Sequence, residues 1–256
     1  MNSIDQLVKY IKQSKNIVFF GGAGVSVESG IPDFRSDNGL YNDKGTMKEF
    51  GFNANIPVET ILSHSFFIRY PNEFYNFYRN KMVYLNAKPN SCHLALAKLE
   101  KMGKLKAVIT QNIDGLHSMA GSENVYELHG SIYRNHCMNC GKSYDISYIM
   151  NSVDTPCCSE CRGLVKPDVV LYEESLDNEI LYKSILAISK ADVLIVGGTS
   201  LSVYPAAGLI QYYKGDKLVI INKSITQYDQ RANLVINQNI GEVFKEVMEE
   251  LDDNGD

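Results

Sequence analysis

The chain contains no tryptophan, so its aromatic bulk comes from 16 tyrosines and 10 phenylalanines. It has no excess of positive charge: 25 Lys and Arg stand against 30 Asp and Glu, a formal net charge of −5. That balance speaks against a general nucleic-acid-binding surface, and no sequence-specific nucleic-acid partner is expected. No apolar run approaches the roughly 20 residues that a membrane span needs. The start, Met1-Asn2-Ser3-Ile4-Asp5, lacks the basic segment and apolar core of a signal peptide. The expectation is a soluble, cytoplasmic protein with no membrane partner. A further absence is a pattern. After the first glycine loop a nucleotide-dependent dehydrogenase completes a βαβ unit of about 30 residues, with an acidic residue closing its second strand. Residues 36–60 hold only turn residues and scattered aromatics instead.

What is present reads as an open parallel α/β sheet. Ile17-Val18-Phe19-Phe20, Leu105-Lys106-Ala107-Val108-Ile109-Thr110, Val193-Leu194-Ile195-Val196 and Leu218-Val219-Ile220-Ile221 have the texture of buried parallel strands, with a further short strand at Leu234-Val235-Ile236. Helical patterns alternate with them. Ser3 and Gln6 suggest a capping box ahead of the face Ile4, Leu7, Val8 and Ile11. Residues 58–86 look helical and aromatic-rich. Asn90 opens a helix that Gly103 stops, helical stretches precede Val193 and Leu218, and Glu242 to Leu251 forms a last helix. Residues 134–165 are short-patterned, polar and rich in Cys, Gly and Pro, the texture of an insert with its own staple.

That staple is four cysteines. Cys137-Met-Asn-Cys140 and Cys158-Ser-Glu-Cys161 are two equal knuckles separated by residues 141–157. The pattern suits a tetrahedral Zn²⁺ site closed by thiolates, hence a structural one. Cys157 competes with Cys158, but Cys158 gives matching knuckles. His136 adjoins Cys137 too closely to share the ion, and Cys92 lies in a helical pattern as packing.

Four strings carry chemistry. Gly22-Ala23-Gly24 follows the first strand and leads to Gly30-Ile31-Pro32-Asp33-Phe34-Arg35. Closely spaced glycines let backbone N–H groups approach a phosphate. Thr110-Gln111-Asn112-Ile113-Asp114-Gly115-Leu116-His117 ends a buried strand, where open α/β sheets bind ligands. Read alone, it is equally a turn with capping side chains. Glu127-Leu128-His129-Gly130 offers an imidazole able to accept a proton near neutral pH, beside a glycine that permits close approach. His117 is the second choice for that role. Gly197-Gly198-Thr199-Ser200-Leu201-Ser202-Val203-Tyr204-Pro205 is a second glycine loop, which alone reads as an ordinary strand-to-helix turn.

Together these strings resemble the sirtuins, the NAD-dependent protein lysine deacylases, from about Lys15 to Val243. The resemblance is to bacterial-type members. It implies a Rossmann-like large domain over about 1–35, 88–133 and 168–256, and a small domain from a helical insert of about 36–87 and a zinc ribbon of about 134–167. It implies that Gly22, Ala23, Gly24, Asp33, Phe34 and Arg35 line the NAD site. Gln111 and Asn112 would contact the nicotinamide ribose, and Ile113 and Asp114 the nicotinamide amide. Gly198, Thr199, Ser200, Asn222 and Ile240 would complete the NAD site, with Asn222 on the adenosine ribose. His129 would be the general base, with Asn112 also catalytic. Val165 to Glu174 matches an edge that pairs with the substrate backbone, so Val170, Leu171, Tyr172 and Val203 are the substrate-binding candidates. The family often ends that edge in Phe-Gly-Glu, whereas this chain has Tyr172-Glu173-Glu174.

The implied reaction is NAD-dependent protein deacetylation of acyl-lysine proteins or peptides, with NAD consumed and nicotinamide, free lysine and O-acetyl-ADP-ribose released. Acid-selective sirtuins carry Tyr-x-x-Arg in the aromatic helix. Here Tyr78 takes the arginine position and Arg79 follows one place late, about 100° round a helix. Acetyl or longer neutral acyl groups are therefore expected over acidic ones, and Tyr78→Arg is expected to favour succinyl. Mono-ADP-ribosyl transfer would use the same NAD site. A dehydrogenase lacks its βαβ unit here, and a non-enzymatic zinc module leaves the other strings unexplained.

Overall fold

Runs such as Ile17-Val18-Phe19-Phe20 have no polar face, and they are buried along their whole length. Strands of that kind belong in a sheet covered on both sides. The computed structural model describes residues 2–36, 39–42 and 56–253. Its strands are β1 (Ile17–Gly21), β2 (Leu105–Thr110), β3 (Val125–Glu127), β4 (Gly130–Cys137), β5 (Ser143–Tyr144), β6 (Val165–Val169), β7 (Val193–Gly197), β8 (Leu218–Ile221) and β9 (Leu234–Ile236). Six of them form one sheet in the order β3-β2-β1-β7-β8-β9. Every neighbouring pair in it is parallel.

Strand alternation sends Phe19 to one face and Phe20 to the other. Phe19 packs with Leu7, Leu96 and Phe244 from the helices Ser3–Gln13, Ser91–Lys101 and Ile240–Asp253. Phe20 packs with Ile188 and Ile210, from helix Asn178–Lys190 and the 3₁₀ segment Ala206–Tyr212. A third core lies apart from the sheet. It joins Phe67, Phe74, Tyr75 and Tyr78 to Ile132, Cys137, Cys158 and Val165. Here β5, β4 and β6 make an antiparallel three-stranded sheet. Its first strand begins at Gly130, ahead of the expected insert.

Local chemistry departs from expectation at several points. The first helix is capped by Asn2: its side chain accepts from the Asp5 N–H at 2.8 Å, and Asp5 accepts from the Asn2 N–H at 3.0 Å. The reciprocal pair is thus Asn2 and Asp5, not Ser3 and Gln6. The aromatic stretch is three helices, Val58–Ile61, His64–Arg69 and Pro71–Lys81. Ser63 restarts the second by accepting from the Phe66 N–H at 3.2 Å, and Pro71 opens the third. Asn90 caps its helix as expected, and Gly103 ends it at φ 74. The reading of 36–60 as strandless falls largely on 37–38 and 43–55, outside the described residues.

Two histidines are sealed in the first core. His93 and His117 are fully buried with ring centroids 4.6 Å apart, and Phe19 lies 6.0 Å from His117. Neither ring nitrogen of His117 has a hydrogen-bond partner among the described residues. Burial lowers both imidazoles, His93 to about 4, and His93 further lowers His117. His117 is thus a neutral core residue and not a base. The folded state resists protons that the unfolded chain takes up near pH 6.5, so stability present above that pH is lost as pH falls. Thermal melting between pH 7 and 4 is expected to show this decline, and His117→Leu is expected to make it shallower.

Candidate active site

From β1 the chain builds outward through β2 and β3 on one side, while β7, β8 and β9 extend the other. The reversal falls between β1 and β7, where Gly21 pairs with Gly197. A crevice at the carboxyl ends of the strands is a direct consequence. Both glycine loops meet there, and they are stitched together. The Gly22 N–H donates to the Gly197 carbonyl at 3.2 Å, and the Gly24 N–H to the Gly198 carbonyl at 2.8 Å. A Cβ on Gly22 would lie 2.7 Å from Thr199 Cβ, and one on Gly24 would lie 2.8 Å from Gly198 Cα. These glycines allow loop to touch loop. Their N–H groups are already taken, so a phosphate contact from this turn must use other donors.

A cavity of about 930 Å³ opens from this crevice. It is lined by Gly22, Ala23, Gly24, Asp33, Phe34 and Arg35 from the first loop, and by Gln111, Asn112, Ile113 and Asp114 from the end of β2. His129 joins from the turn into β4, and Gly198, Thr199, Ser200 and Val203 from the second loop. Asn222, Ile240, Val170, Leu171 and Tyr172 complete it. Every residue that the sequence suggests for NAD or substrate therefore reaches one space, whereas His117 does not.

His129 sits where Gly130, at φ 76, lets β4 approach β6 so closely that any Cβ would collide with the Asp168 carbonyl. Its Nδ1 lies 2.9 Å from the Gln111 carbonyl oxygen. A carbonyl only accepts, so Nδ1 carries the proton and Nε2 keeps its lone pair. Burial lowers the imidazole below its usual 6.5, and the Gln111 bond only partly offsets this. The group is a neutral base at pH 7.

Asp114 is fixed in the same cavity. Its carboxylate accepts from Ser26 Oγ at 2.6 Å and from the Leu116 N–H at 2.9 Å. Asn112 Nδ2 donates to the same Ser26 oxygen at 3.0 Å. Burial raises the Asp114 carboxyl above its usual range, and the Ser26 and Leu116 donors offset this only in part. Ser26 therefore orients two site residues at once, a role its position as a spacer in the glycine string did not reveal. Asn222 is also committed: its Oδ1 accepts from the Thr199 N–H at 3.0 Å and its Nδ2 donates to the Thr199 carbonyl at 2.7 Å. It shapes the second loop by clasping the backbone.

The four knuckle cysteines converge, with all Sγ atoms within 4.8 Å of one another. Cys137 and Cys161 are 3.4 Å apart, and Cys140 and Cys158 3.6 Å. A disulfide needs about 2.05 Å. A zinc tetrahedron with about 2.3 Å bonds has edges of about 3.8 Å, so the four sulfurs fit that ion. The Asn139 N–H points at Cys137 Sγ and the Glu160 N–H at Cys158 Sγ, each at 3.4 Å. Cys157 stands outside the cluster and faces the Thr155 carbonyl.

Residues 22–205 match the Sir2 family model. The chain belongs to the Sir2 family. An NAD-dependent protein deacetylase of Clostridium acetobutylicum is 59% identical over 249 residues, covering 97% of this chain and 99% of that protein. One of the same description from Clostridium perfringens is 60% identical with the same coverage. Among solved structures, a Sir2 protein with a deacetylated peptide and 3′-O-acetyl-ADP-ribose superposes at TM-score 0.87, with 38% identity, covering 97% of this chain and 98% of that one. A Sir2 protein bound to an acetylated peptide gives 0.83 at 37% identity, covering 98% and 99%.

Within this sirtuin, the edge from Val165 to Glu174 is more occupied than its sequence suggests. Val170 donates its N–H to the His129 carbonyl, Tyr172 to the Leu62 carbonyl, and Leu171 to Glu174 Oε2. Strand geometry ends at Val169. Glu173 adopts φ 74 and is held there by Ser65, whose N–H and Oγ each lie 2.9 Å from its carboxylate. Glu174 accepts from Lys166 Nζ at 3.0 Å and meets His64 Nδ1 at 2.7 Å. Burial would raise its carboxyl, but these bonds and the Leu171 N–H outweigh that and lower it.

The aromatic helix corrects a second expectation. Tyr75 and Tyr78 are both fully buried, and neither lines the cavity. Tyr78 stacks on Phe74 at 5.6 Å, and its hydroxyl has no hydrogen-bond partner among the described residues. Arg79 points away, as its register predicts, and donates to the carbonyls of Ile149 and Asp154 at 2.9 and 2.7 Å. An arginine at Tyr78 would bury an unpaired charge and not recruit an acid. Tyr78→Arg is expected to lower the melting temperature without raising succinyl turnover. For the cysteines, elemental analysis is expected to return one Zn²⁺ per chain. Cys140→Ala should lose the metal and melt earlier, since such sites supply folding free energy directly.

Proposed function

We propose that this sirtuin-type enzyme is an NAD-dependent protein lysine deacetylase that consumes NAD and releases nicotinamide, deacetylated lysine and O-acetyl-ADP-ribose. The observation that carries the reading is the His129 Nδ1 contact to Gln111, which leaves Nε2 free to accept a proton inside the shared cavity. The deacetylases from the two clostridia and the peptide-bound Sir2 structures support the same activity and a protein or peptide substrate. NAD, when bound, would supply the ribose whose hydroxyl oxygen takes the acyl group as nicotinamide leaves.

The chain's own residues then have separable tasks. Ala23, Asp33, Phe34 and Arg35 hold the cofactor loop side, with Arg35 facing phosphate. Gln111 and Asn112 address the nicotinamide ribose. Ile113 and Asp114 address the amide, with Asp114 already oriented by Ser26. Asn222 serves the adenosine ribose through the loop it clasps. His129 Nε2 takes the proton of a ribose hydroxyl. Val170, Leu171, Tyr172 and Val203 flank the acyl-lysine through side chains, because the N–H groups of 170–172 are engaged elsewhere. The Zn²⁺ is structural and takes no part in the chemistry. The cavity lies between a large lobe (about 1–35, 88–133 and 168–256) and a small one (about 36–87 and 134–167). Acetyl and longer neutral acyl groups are the proposed substrates, since Arg79 is committed to backbone carbonyls.

His129→Ala is expected to cut deacetylation by about 10²–10⁴-fold while NAD still binds by calorimetry. Activity within a few-fold of wild type would remove His129 from the mechanism. In the wild type, kcat/KM is expected to fall on the acid side with an apparent pKa below 6.5, because burial favours the neutral imidazole. Mass spectrometry of products from NAD and an acetyl-lysine peptide distinguishes deacetylation from mono-ADP-ribosyl transfer, which would leave ADP-ribose on the acceptor.

A further inference from the structure

Two tyrosine hydroxyls meet on the cavity wall. Tyr41 Oη and Tyr172 Oη are 2.6 Å apart, although 131 residues separate them in the chain. Both side chains line the cavity. Tyr41 packs on Phe34 and Arg35 of the proposed cofactor loop and Tyr172 lies on the proposed substrate edge, so the bond joins the two halves of the site. We propose that Tyr172 is a positioning residue: its hydroxyl fastens Tyr41, and through Tyr41 the cofactor loop, so that order at the substrate edge and order around NAD are coupled.

The path is short and each link is a contact. Tyr41 donates its N–H to the Phe34 carbonyl at 2.9 Å, and Leu40 donates to the Asp33 carbonyl at 2.8 Å. The Arg35 guanidinium lies over the Tyr41 ring, 5.1 Å from its centroid, and Phe34 meets the same ring at 5.5 Å, edge to face. Holding Tyr41 therefore holds Asp33, Phe34 and Arg35 together. On the other side Tyr172 is pinned at both ends of its peptide unit. Its N–H donates to Leu62 and its carbonyl accepts from the His64 N–H at 3.0 Å. Tyr172 is thus a fixed post and Tyr41 the tethered member. The backbone of the post is already fixed, so a segment lying along residues 170–172 acts on the Tyr172 side chain, holding its hydroxyl on Tyr41 and biasing the loop toward its binding geometry. By linkage, NAD held by the loop strengthens the edge equally. The inference rests on the NAD and substrate assignments above.

The test uses Tyr172→Phe and Tyr41→Phe, which delete one oxygen each and keep the rings. A neutral hydroxyl pair of this kind is worth about three- to tenfold in an equilibrium. Each variant is expected to raise the KM for NAD by about that factor at saturating acetyl-lysine peptide, with kcat within about twofold for Tyr41→Phe. The double variant is expected to be no worse than either single one, because one bond is lost in all three. Amide hydrogen exchange on the ligand-free protein should quicken at Leu40 and Tyr41 in Tyr172→Phe, with the melting temperature unchanged within a few degrees. An unchanged KM for NAD, effects that multiply in the double variant, or unaltered exchange at residues 40–41 would each overturn the coupling. Exchange needs no turnover, so an inactive wild-type protein would count against the deacetylase reading and leave the tyrosine bridge measurable.

Discussion

The contact on which this site depends is backbone to backbone: the Gly24 N–H on the Gly198 carbonyl at 2.8 Å. It closes the gap where the sheet order reverses and fixes how far apart the two strand-end loops stand. Gln111 continues the seam, with its side chain donating to Thr199 Oγ1 at 3.0 Å. Asn222 then grips the Thr199 backbone from the next strand. Because the seam is made of backbone and of glycines with no room for a Cβ, it leaves little freedom to drift. Side chains that project from it inherit that precision.

A site built this way separates scaffold from chemistry. Residues with hydrogen-bonding capacity at the seam mostly spend it on one another. His129 is held through Nδ1, which leaves Nε2 for chemistry. Its tautomer is set by a main-chain carbonyl, a partner that cannot itself be protonated near neutral pH. Glu28 shows the same economy at the rim: it accepts the Gly241 N–H at 2.7 Å, holding the start of the last helix against the first loop.

Much of this was legible in the sequence. The parallel sheet followed from unbroken apolar runs, the convergence of four cysteines from two equal knuckles, and the convergence on one cavity from strings that end buried strands. What was not legible is how residues divide their hydrogen bonds. Gly22 and Gly24 look the same in sequence whether they face a phosphate or another loop. Asn222 looks like a ligand contact whether its amide is free or clasped. Tyr172 gives no hint that its hydroxyl finds Tyr41, since that pairing depends on two distant segments meeting. The first helix cap moved from Ser3 to Asn2 because both residues can cap and only the backbone angle decides. Tyr78 was placed on the acyl pocket by analogy of spacing, but aromatic packing with Phe74 claims it for the core.

The strand β6 has a mechanical meaning. It begins at Val165, whose carbonyl accepts the Tyr75 hydroxyl and whose N–H donates to the Pro156 carbonyl in the second knuckle loop. Its far end runs into Val170, Leu171 and Tyr172 on the cavity. At about 3.3 Å per residue it is a stiff strut a little over 15 Å long, anchored beside the cysteine cluster at one end and carrying part of the cavity wall at the other. Slack at the anchor becomes misalignment at the wall. Disturbing the four-cysteine cluster would thus reach the cavity wall through the backbone, with every side chain there still in place.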